Sequence, residues 1–255
     1  MFFPLRDENP TERTPFVNYG LIALNIGVFI YTGLLRGGAI WLEAGYGLVP
    51  TRISADPLGE AFTVLTSMFM HHGVAHLGYN MVFLHVFGDN LEDLMGHGRY
   101  LAFYLVSGLV AAVAQTSIDL LSPVPMVGAS GAISGVVGGY LILFPRAPIV
   151  MLNLLVPLVF LVGLFPVIPA WSVAVLFYLG DVLQALFGLD TRSGGTAVAA
   201  HLGGLAAGLV LVRAFAGTKS SDARSWHGFR PASTPRREPS SAPAGARWRR
   251  RPRKP

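Results

Sequence analysis

Long apolar stretches, separated by short polar segments, occupy most of the chain. Each is close to the about 20 apolar residues that a helix needs to cross the hydrocarbon core of a bilayer. The pattern predicts an all-α membrane protein with six transmembrane helices, over residues 16–35, 74–95, 100–121, 128–144, 170–187 and 198–215. Residues 1–15 are predicted to form a short polar arm, residues 16–217 the helical domain, and residues 218–255 a tail rich in Pro, Ser and Arg that is unlikely to pack.

Two further segments are apolar without fitting this helical pattern. Segment 36–73 is too apolar for a solvated loop, so we expect it to lie partly among the lipid headgroups; it contains Trp41, Tyr46, Leu48 and Phe62. Segment 149–169 is long enough to cross the membrane but is interrupted by Pro157, Pro166 and Pro169. Each proline removes a helical hydrogen-bond donor, so a full crossing and a hairpin both remain open on pattern alone.

Composition supports the membrane class. Hydrophobic residues make up 52% of the 255 residues and charged residues only 13%, whereas soluble domains carry about a quarter charged residues. There is no cysteine, which excludes thiol catalysis and disulfides. No cleavable-signal pattern precedes the first apolar stretch, so we expect that stretch to stay as an anchor.

The net charge of +5 conceals a segregation of charge along the chain. Residues 218–255 hold 11 of the 19 basic residues and two of the 14 acidic ones. Basic flanks of membrane helices remain in the cytoplasm, which predicts a multi-pass protein of the plasma membrane with a cytoplasmic tail. The Arg-rich run 247–254 could also bind nucleic acid, but an anionic lipid surface is the simpler partner and we expect no nucleic-acid partner.

A serine and a histidine stand at the starts of two apolar helices. Ser130 lies in Gly128-Ala129-Ser130-Gly131, and His201 begins His201-Leu202-Gly203-Gly204. A serine hydroxyl is a weak nucleophile unless a base within hydrogen-bond reach takes its proton. Histidine titrates near neutral pH and is the usual base for this purpose. Ser130 and His201 are therefore the candidate catalytic residues, although Ser130 could instead serve only as a helix N-cap.

Small residues recur every four positions on the same two helices. They are Gly131, Gly135 and Gly139 on one, and Ala200, Gly204 and Gly208 on the other. Such faces let helix backbones approach closely in lipid. We expect this packing seam to bring Ser130 and His201 together.

His76 and Asn80 are four residues apart, and therefore lie on one face of a helix. Both are expensive to place in lipid, which makes them functional candidates. The Asn80 amide can donate to a developing oxyanion, as can backbone N–H groups around Ser130. His72 and His76 also have the i, i+4 spacing of a zinc site, but Gly73 stands where that motif has its glutamate, so no metal is expected.

Together these stretches resemble the rhomboid family of intramembrane serine proteases, and they occur in the family's order along the chain. The resemblance implies cleavage of transmembrane segments of other membrane proteins by a Ser130–His201 dyad without a cofactor. It implies that His76 is a second oxyanion donor and that Gly128 allows close backbone approach. His71 matches a further histidine common in the family. The oligomeric state has no signal in the sequence.

The chain departs from the family pattern at two places. Many members carry Glu-x-Arg at the end of the second helix, whereas this chain has Glu92-Asp93-Leu94, with Arg99 as a possible spatial substitute. Ser134 occupies a position where some members have an aromatic residue stacked on the histidine, so we expect looser orientation of His201. Ser134 is also an alternative nucleophile, disfavoured because it lies one turn deeper.

No acid is clearly placed to orient His201. Asp181 and Asp190 are the nearest in sequence, but neither shares the helix start that carries the histidine. We therefore expect a dyad rather than a triad.

The positions of Ser130 and His201 also constrain the topology. Because both lie at helix starts, they meet only if both helices enter from the same face, with an odd number of crossings between them. Segment 170–187 supplies one crossing, so segment 149–169 is predicted to be a hairpin or an interfacial piece. Both termini then lie in the cytoplasm. Two rival functions are an inactive family member and a transporter, which would be expected to show intramembrane charge or repeats.

Overall fold

The computed structural model describes residues 2–35, 45–187 and 197–217, and this part of the chain is mainly helical. Within these residues, nine α-helices follow one another: α1 (Phe16–Ile30), α2 (Pro50–Ala55), α3 (Ala61–Thr66), α4 (Val74–Met95), α5 (His97–Ile118), α6 (Ser130–Leu143), α7 (Val156–Val162), α8 (Ala170–Phe187) and α9 (Val198–Ala216). A π-helical turn, Tyr31–Leu35, extends α1, and a 3₁₀ turn, Ser67–Phe69, follows α3. Trp41, Asp190 and the basic tail lie outside the described residues.

Three helical stretches are long and apolar enough to cross a membrane, judged by length and composition within the described part of the chain. They are Phe16–Gly33, His97–Ile118 and Val198–Ala216. Helices α6 and α8 contain shorter apolar stretches, Ser130–Leu143 and Ala170–Leu183. Helix α4 is as long as α5 but carries several polar residues, among them His76, Asn80 and Asp89. The chain is thus a mainly helical membrane protein.

A small antiparallel sheet corrects the expectation of an all-α fold. Strands β1 (Phe2–Asp7), β2 (Pro148–Asn153) and β3 (Val167–Pro169) pair in the order β1-β2-β3. Phe2 lies opposite Asn153, and Asp7 lies opposite Ile149. The register of β1 shifts between Pro4 and Arg6. This fits Pro4, because proline has no backbone N–H to donate to the neighbouring strand. The polar arm therefore begins with a strand whose partner lies far away along the chain, where no local pattern reveals it.

The proline-rich segment 149–169 forms a hairpin, as predicted. Strands β2 and β3 pair antiparallel, with Ile149 opposite Ile168, and α7 lies between them. Helix α7 has 7 residues, so at about 1.5 Å per residue it is about 10 Å long, a third of the hydrocarbon thickness. The segment therefore contains no helix long enough to cross the membrane.

The core is centred on α6. Eleven of its 14 residues are buried, and α4, α5 and α9 surround it. A side chain at Gly204 would overlap the carbonyl oxygen of Gly131, and one at Gly208 would overlap that of Gly135. Helices α6 and α9 therefore touch backbone to backbone along their small residues, as small-xxx-small faces allow.

Acidic residues at the end of α4 hold the start of α1. The two carboxylate oxygens of Glu92 accept hydrogen bonds from the backbone N–H groups of Val17 (2.9 Å) and Asn18 (2.7 Å). These N–H groups have no hydrogen-bond partners within the helix, and the Glu92 carboxylate takes the place of those partners. His97 Nδ1 lies 2.5 Å from Glu92 Oε1. Glu92 is thus contacted by His97 and not by Arg99, which the sequence offered as a possible substitute, because the chain turns sharply at Gly96 (φ +79°) between α4 and α5.

Candidate functional site

Ser130 and His201 lie within hydrogen-bond distance of each other. Ser130 is the first residue of α6, and His201 lies in the first turn of α9. Ser130 Oγ is 2.9 Å from His201 Nε2. The glycine contacts between α6 and α9 bring the two helix starts together on one side of the molecule.

Gln115 on α5, a residue that sequence reasoning did not single out, holds the start of α9. Its side-chain oxygen accepts a hydrogen bond of 3.1 Å from the backbone N–H of Ala200, one of the groups that has no partner within the helix. The bond fixes the turn next to His201 against α5. A polar residue near the end of an apolar helix was the available signal.

Asp181 contacts the other side of the His201 ring. Asp181 Oδ2 lies 2.8 Å from His201 Nδ1, and the two side chains are 13% and 18% exposed. The expectation that no acid reaches the histidine was therefore wrong for Asp181, while Asp190 lies outside the described residues. Asp181 lies within α8 and meets His201 because α8 packs beside α9. The separation of the two residues along the chain does not reveal this contact. A lone carboxylate within an apolar helix was the signal that pointed to it.

Ser134 lies one turn deeper than Ser130 and is 3% exposed. Its hydroxyl oxygen accepts a hydrogen bond of 3.0 Å from the hydroxyl of Tyr178 on α8. Ser134 thus forms a polar contact between α6 and α8. The His201 ring is contacted by Asp181, and the looser orientation expected for it stays a prediction.

Gly128 is held where only glycine fits. Its φ is +125°, a backbone conformation that residues with a side chain rarely adopt. A Cβ at this position would lie 2.7 Å from Cε1 and 2.8 Å from Nε2 of His76, and 3.7 Å from Ser130 Oγ. The Gly128 N–H itself donates to the carbonyl of Ser67 at 2.9 Å. Gly128 therefore gives His76 access to the space beside Ser130 and does not offer its own N–H there.

Asn80 brings a second polar group to the same space. It lies one turn after His76 on α4 and is 5% exposed. Its side-chain nitrogen is buried without a hydrogen-bond partner among the described residues. A buried donor without a partner is costly, so this nitrogen suits a ligand oxygen that enters the site.

These residues line one cavity of about 520 Å³. Its walls combine the polar groups of Ser130, His201, His76, Asn80 and Asp181 with apolar side chains from four parts of the chain: Phe83, Val124, Val127, Ile133 and Phe177. The cavity is large enough for several residues of a peptide and for water. It brings a serine hydroxyl, an imidazole and hydrogen-bond donors together in one place.

The histidines before and in α4 form a ring cluster. The rings of His71 and His76 lie 5.1 Å apart edge to face, and those of His72 and His76 lie 5.9 Å apart. Burial lowers the pKa of His71 to about 4, so this ring is neutral at physiological pH. In the described ranges, no three His, Cys, Asp or Glu side chains are placed to hold a metal ion.

Comparison with known proteins assigns most of the chain to one family. The family model for the Rhomboid domain matches residues 58–217. Rhomboid protease GluP of Bacillus subtilis (strain 168) is 35% identical over 141 residues, which cover 53% of this chain and 27% of that protein. The mitochondrial Rhomboid protein 1 of Saccharomyces cerevisiae is 29% identical over 196 residues, which cover 75% of this chain and 51% of that protein.

Relatives without activity also exist. Inactive rhomboid protein 1 of Drosophila melanogaster is 36% identical over 91 residues, covering 36% of this chain and 6% of that protein. The matches span about a quarter of the Bacillus protein and about half of the yeast protein. Because the family model covers more than half of the residues, the chain belongs to the rhomboid family.

Proposed function

We propose that this protein is an intramembrane serine endopeptidase that cleaves transmembrane segments of other membrane proteins with a Ser130–His201 dyad. The observation that carries the proposal is the 2.9 Å approach of Ser130 Oγ to His201 Nε2 in a cavity that also holds an unpartnered amide donor. Family membership adds support, because relatives include a named rhomboid protease.

In the first half of the reaction, Ser130 Oγ attacks the carbonyl carbon of the scissile bond while its proton passes to His201 Nε2. His201 then gives this proton to the nitrogen of the leaving amine, and the peptide bond breaks. In the second half, His201 takes a proton from water, whose oxygen attacks the acyl-enzyme. The proton returns to Ser130 Oγ when the acid product leaves. Each proton transfer uses one base, as in other serine hydrolases.

The oxyanion formed in each half is held by hydrogen-bond donors around Ser130. Asn80 offers its free side-chain nitrogen, and His76 reaches the same space across Gly128. The backbone N–H of Ser130 lies in the first turn of α6, where N–H groups have no partner in the helix. Donors already in place at the developing charge stabilise the transition state without reorganisation.

In the proposed arrangement the protein lies in a bacterial-type plasma membrane, with both termini on the cytoplasmic side. Its six crossings are formed by α1, α4, α5, α6, α8 and α9. Helix α6 has 14 residues, so it is about 21 Å long against about 30 Å of hydrocarbon. Its first residue, Ser130, then lies below the membrane surface. Water reaches it through the cavity, which opens to the outer face.

The substrates proposed from family resemblance are membrane proteins whose transmembrane helix has a destabilised stretch with a small residue at the cut. No cofactor takes part in this scheme. The rival function, an inactive family member that binds membrane proteins, predicts no covalent chemistry at Ser130.

The deciding experiment is labelling of the purified full chain with a serine-reactive fluorophosphonate, with the modified residue mapped by mass spectrometry. The proposal expects modification of Ser130 and none in Ser130→Ala. Ser134→Ala is the matched control, because it removes a neighbouring serine of the same helix and should still be labelled. Absence of labelling in the folded wild-type protein, together with no cleavage of a model transmembrane substrate in liposomes, would reject the proposal.

A further inference from the structure

One face of α8 is directed at the catalytic pair. Phe177 and Tyr178 lie four and three residues before Asp181, so both are neighbours of Asp181 on one side of the helix. Each makes a contact to a different neighbour: Phe177 packs edge to face on Phe83 of α4 with ring centroids 4.4 Å apart, Tyr178 donates to Ser134 of α6, and Asp181 meets His201 of α9.

We infer that Asp181 is a positioning residue that holds His201 in its productive tautomer, so that the reaction uses a Ser130–His201–Asp181 triad. The inference rests on the proposed protease function and goes beyond the dyad. Its basis is the 2.8 Å contact between Asp181 Oδ2 and His201 Nδ1, on the opposite side of the ring from the 2.9 Å contact with Ser130.

A carboxylate can only accept hydrogen bonds, so the contact requires the proton of neutral His201 to be on Nδ1. The lone pair on Nε2 is then free to take the proton of the Ser130 hydroxyl. When His201 becomes positively charged during the reaction, the Asp181 carboxylate also stabilises that charge. Asp181 thus acts through His201 and does not touch the substrate.

The environment of Asp181 explains why this role is specific. It is the sole charged residue of α8, and a charge in an apolar membrane helix is costly unless it is paired. The titratable groups that face His201 are Asp181 from α8, Ser130 from α6 and His76 from α4. Among these, Asp181 alone supplies negative charge.

The hydrogen bond from Tyr178 to Ser134 and the Phe177–Phe83 contact hold this face of α8 against α4 and α6. They keep Asp181 within reach of the histidine. Helix α8 therefore carries the residue that contacts His201, and these contacts hold the helix against α4 and α6.

The test compares Asp181→Asn with wild type in the full chain reconstituted in liposomes. Asparagine has nearly the same shape, but it cannot stabilise a charged histidine and can favour the wrong tautomer. The equivalent change lowers kcat about 10⁴-fold in a soluble serine protease, and because water reaches this site we expect a loss on the order of 10² or more. KM should stay near the wild-type value. Asp119→Asn, the same change in a loop outside the cavity, is the matched control and should leave kcat unchanged.

A spectroscopic readout separates positioning from a merely structural role. In protein labelled with ¹⁵N-histidine, the His201 signals, assigned by their loss in His201→Gln, should show the proton on Nδ1 in wild type and a shift towards Nε2 in Asp181→Asn. Asp181→Glu keeps the carboxylate and should recover a large part of kcat, which also covers the case in which Asp181→Asn fails to fold.

The inference is overturned if wild-type His201 carries its proton on Nε2, or if folded Asp181→Asn cleaves and is labelled by fluorophosphonate at the wild-type rate. Either result leaves the protease proposal standing, because wild type is still active. If wild type itself neither cleaves nor is labelled, it is the protease proposal that fails.

Discussion

Gly204 of α9 lies so close to the carbonyl oxygen of Gly131 in α6 that a side chain at Gly204 would overlap it. Gly131 directly follows Ser130, and Gly204 lies about one turn after His201, so the spacing of the two helices determines the distance between the Ser130 and His201 side chains. Larger residues here must push the helices apart.

Replacing Gly204 with leucine should therefore misplace His201 by an ångström or more, which can lower the rate on the order of 10²-fold. Cleavage of a model transmembrane substrate by correctly inserted protein measures this. Gly27→Leu is the matched control, because a side chain at Gly27 on α1 would meet nothing within 4 Å. Full activity in Gly204→Leu would show that the close contact between α6 and α9 is not needed for catalysis.

The dyad predicts non-additive losses. Ser130→Ala and His201→Ala should each abolish cleavage, and the double variant should be little worse than either, because residues that act as a unit are lost together. Ser134→Ala should remain active, since Ser134 Oγ contacts Tyr178 rather than His201. A dead Ser134→Ala beside an active Ser130→Ala would reassign the nucleophile.

Asn80→Ala should be milder than loss of either member of the dyad. Removing one oxyanion donor costs at most about 3–4 kcal/mol in the transition state, while the other donors remain. Single-turnover cleavage rates in detergent, with thermal stability as the check on folding, measure the effect. An unchanged rate would show that the free Asn80 nitrogen serves another purpose.

The contribution of Asp7 to stability should fall as pH rises from about 4 to about 7, opposite in sign to that of His71, whose lowered pKa favours folding as pH rises. Burial, the largest cause, raises the pKa of Asp7 to about 7, although Tyr140 donates to it at 2.6 Å. Because the folded state favours the neutral carboxyl, this contribution is complete below the unfolded pKa of about 4 and is lost as pH passes through 7.

In Asp7→Asn, the melting temperature at pH 8 relative to that at pH 5 should be higher than in wild type by about 2–4 °C, the shift that about 1 kcal/mol produces in a domain of this size. Thermal unfolding in detergent measures it. The exposed neighbour Glu8 provides the control Glu8→Gln, which should follow wild type. Equal pH dependence in wild type and Asp7→Asn would contradict the assignment.

Reporter fusions test the topology. A fusion after Thr218 should report the cytoplasm, and one near Arg192 the outside, because the β2–β3 hairpin contains no helix long enough to cross the membrane. A cytoplasmic report near Arg192 together with an external report after Thr218 would mean that segment 149–169 crosses the membrane.

The sequence by itself determined the features that depend on local pattern. Apolar runs predict helices wherever they are long enough, and the glycines at positions 131, 135, 204 and 208 predict close helix contact because backbone approach depends on the absence of a side chain. The prolines of segment 149–169, with the parity of the helix starts, predicted a hairpin. Ser130, His201, His76 and Asn80 stand out because polar groups in lipid are costly wherever they occur.

Only the tertiary structure decided which distant residues meet. The His201–Asp181 contact depends on the rotation of α8 against α9, and the replacement of the expected arginine by His97 depends on a sharp turn at Gly96. Strand β1 pairs with β2, more than half of the chain length away, with Phe2 opposite Asn153. Helical periodicity shows which face of a helix is polar but not which neighbour that face meets, because the neighbour is chosen by the packing energy of the whole bundle.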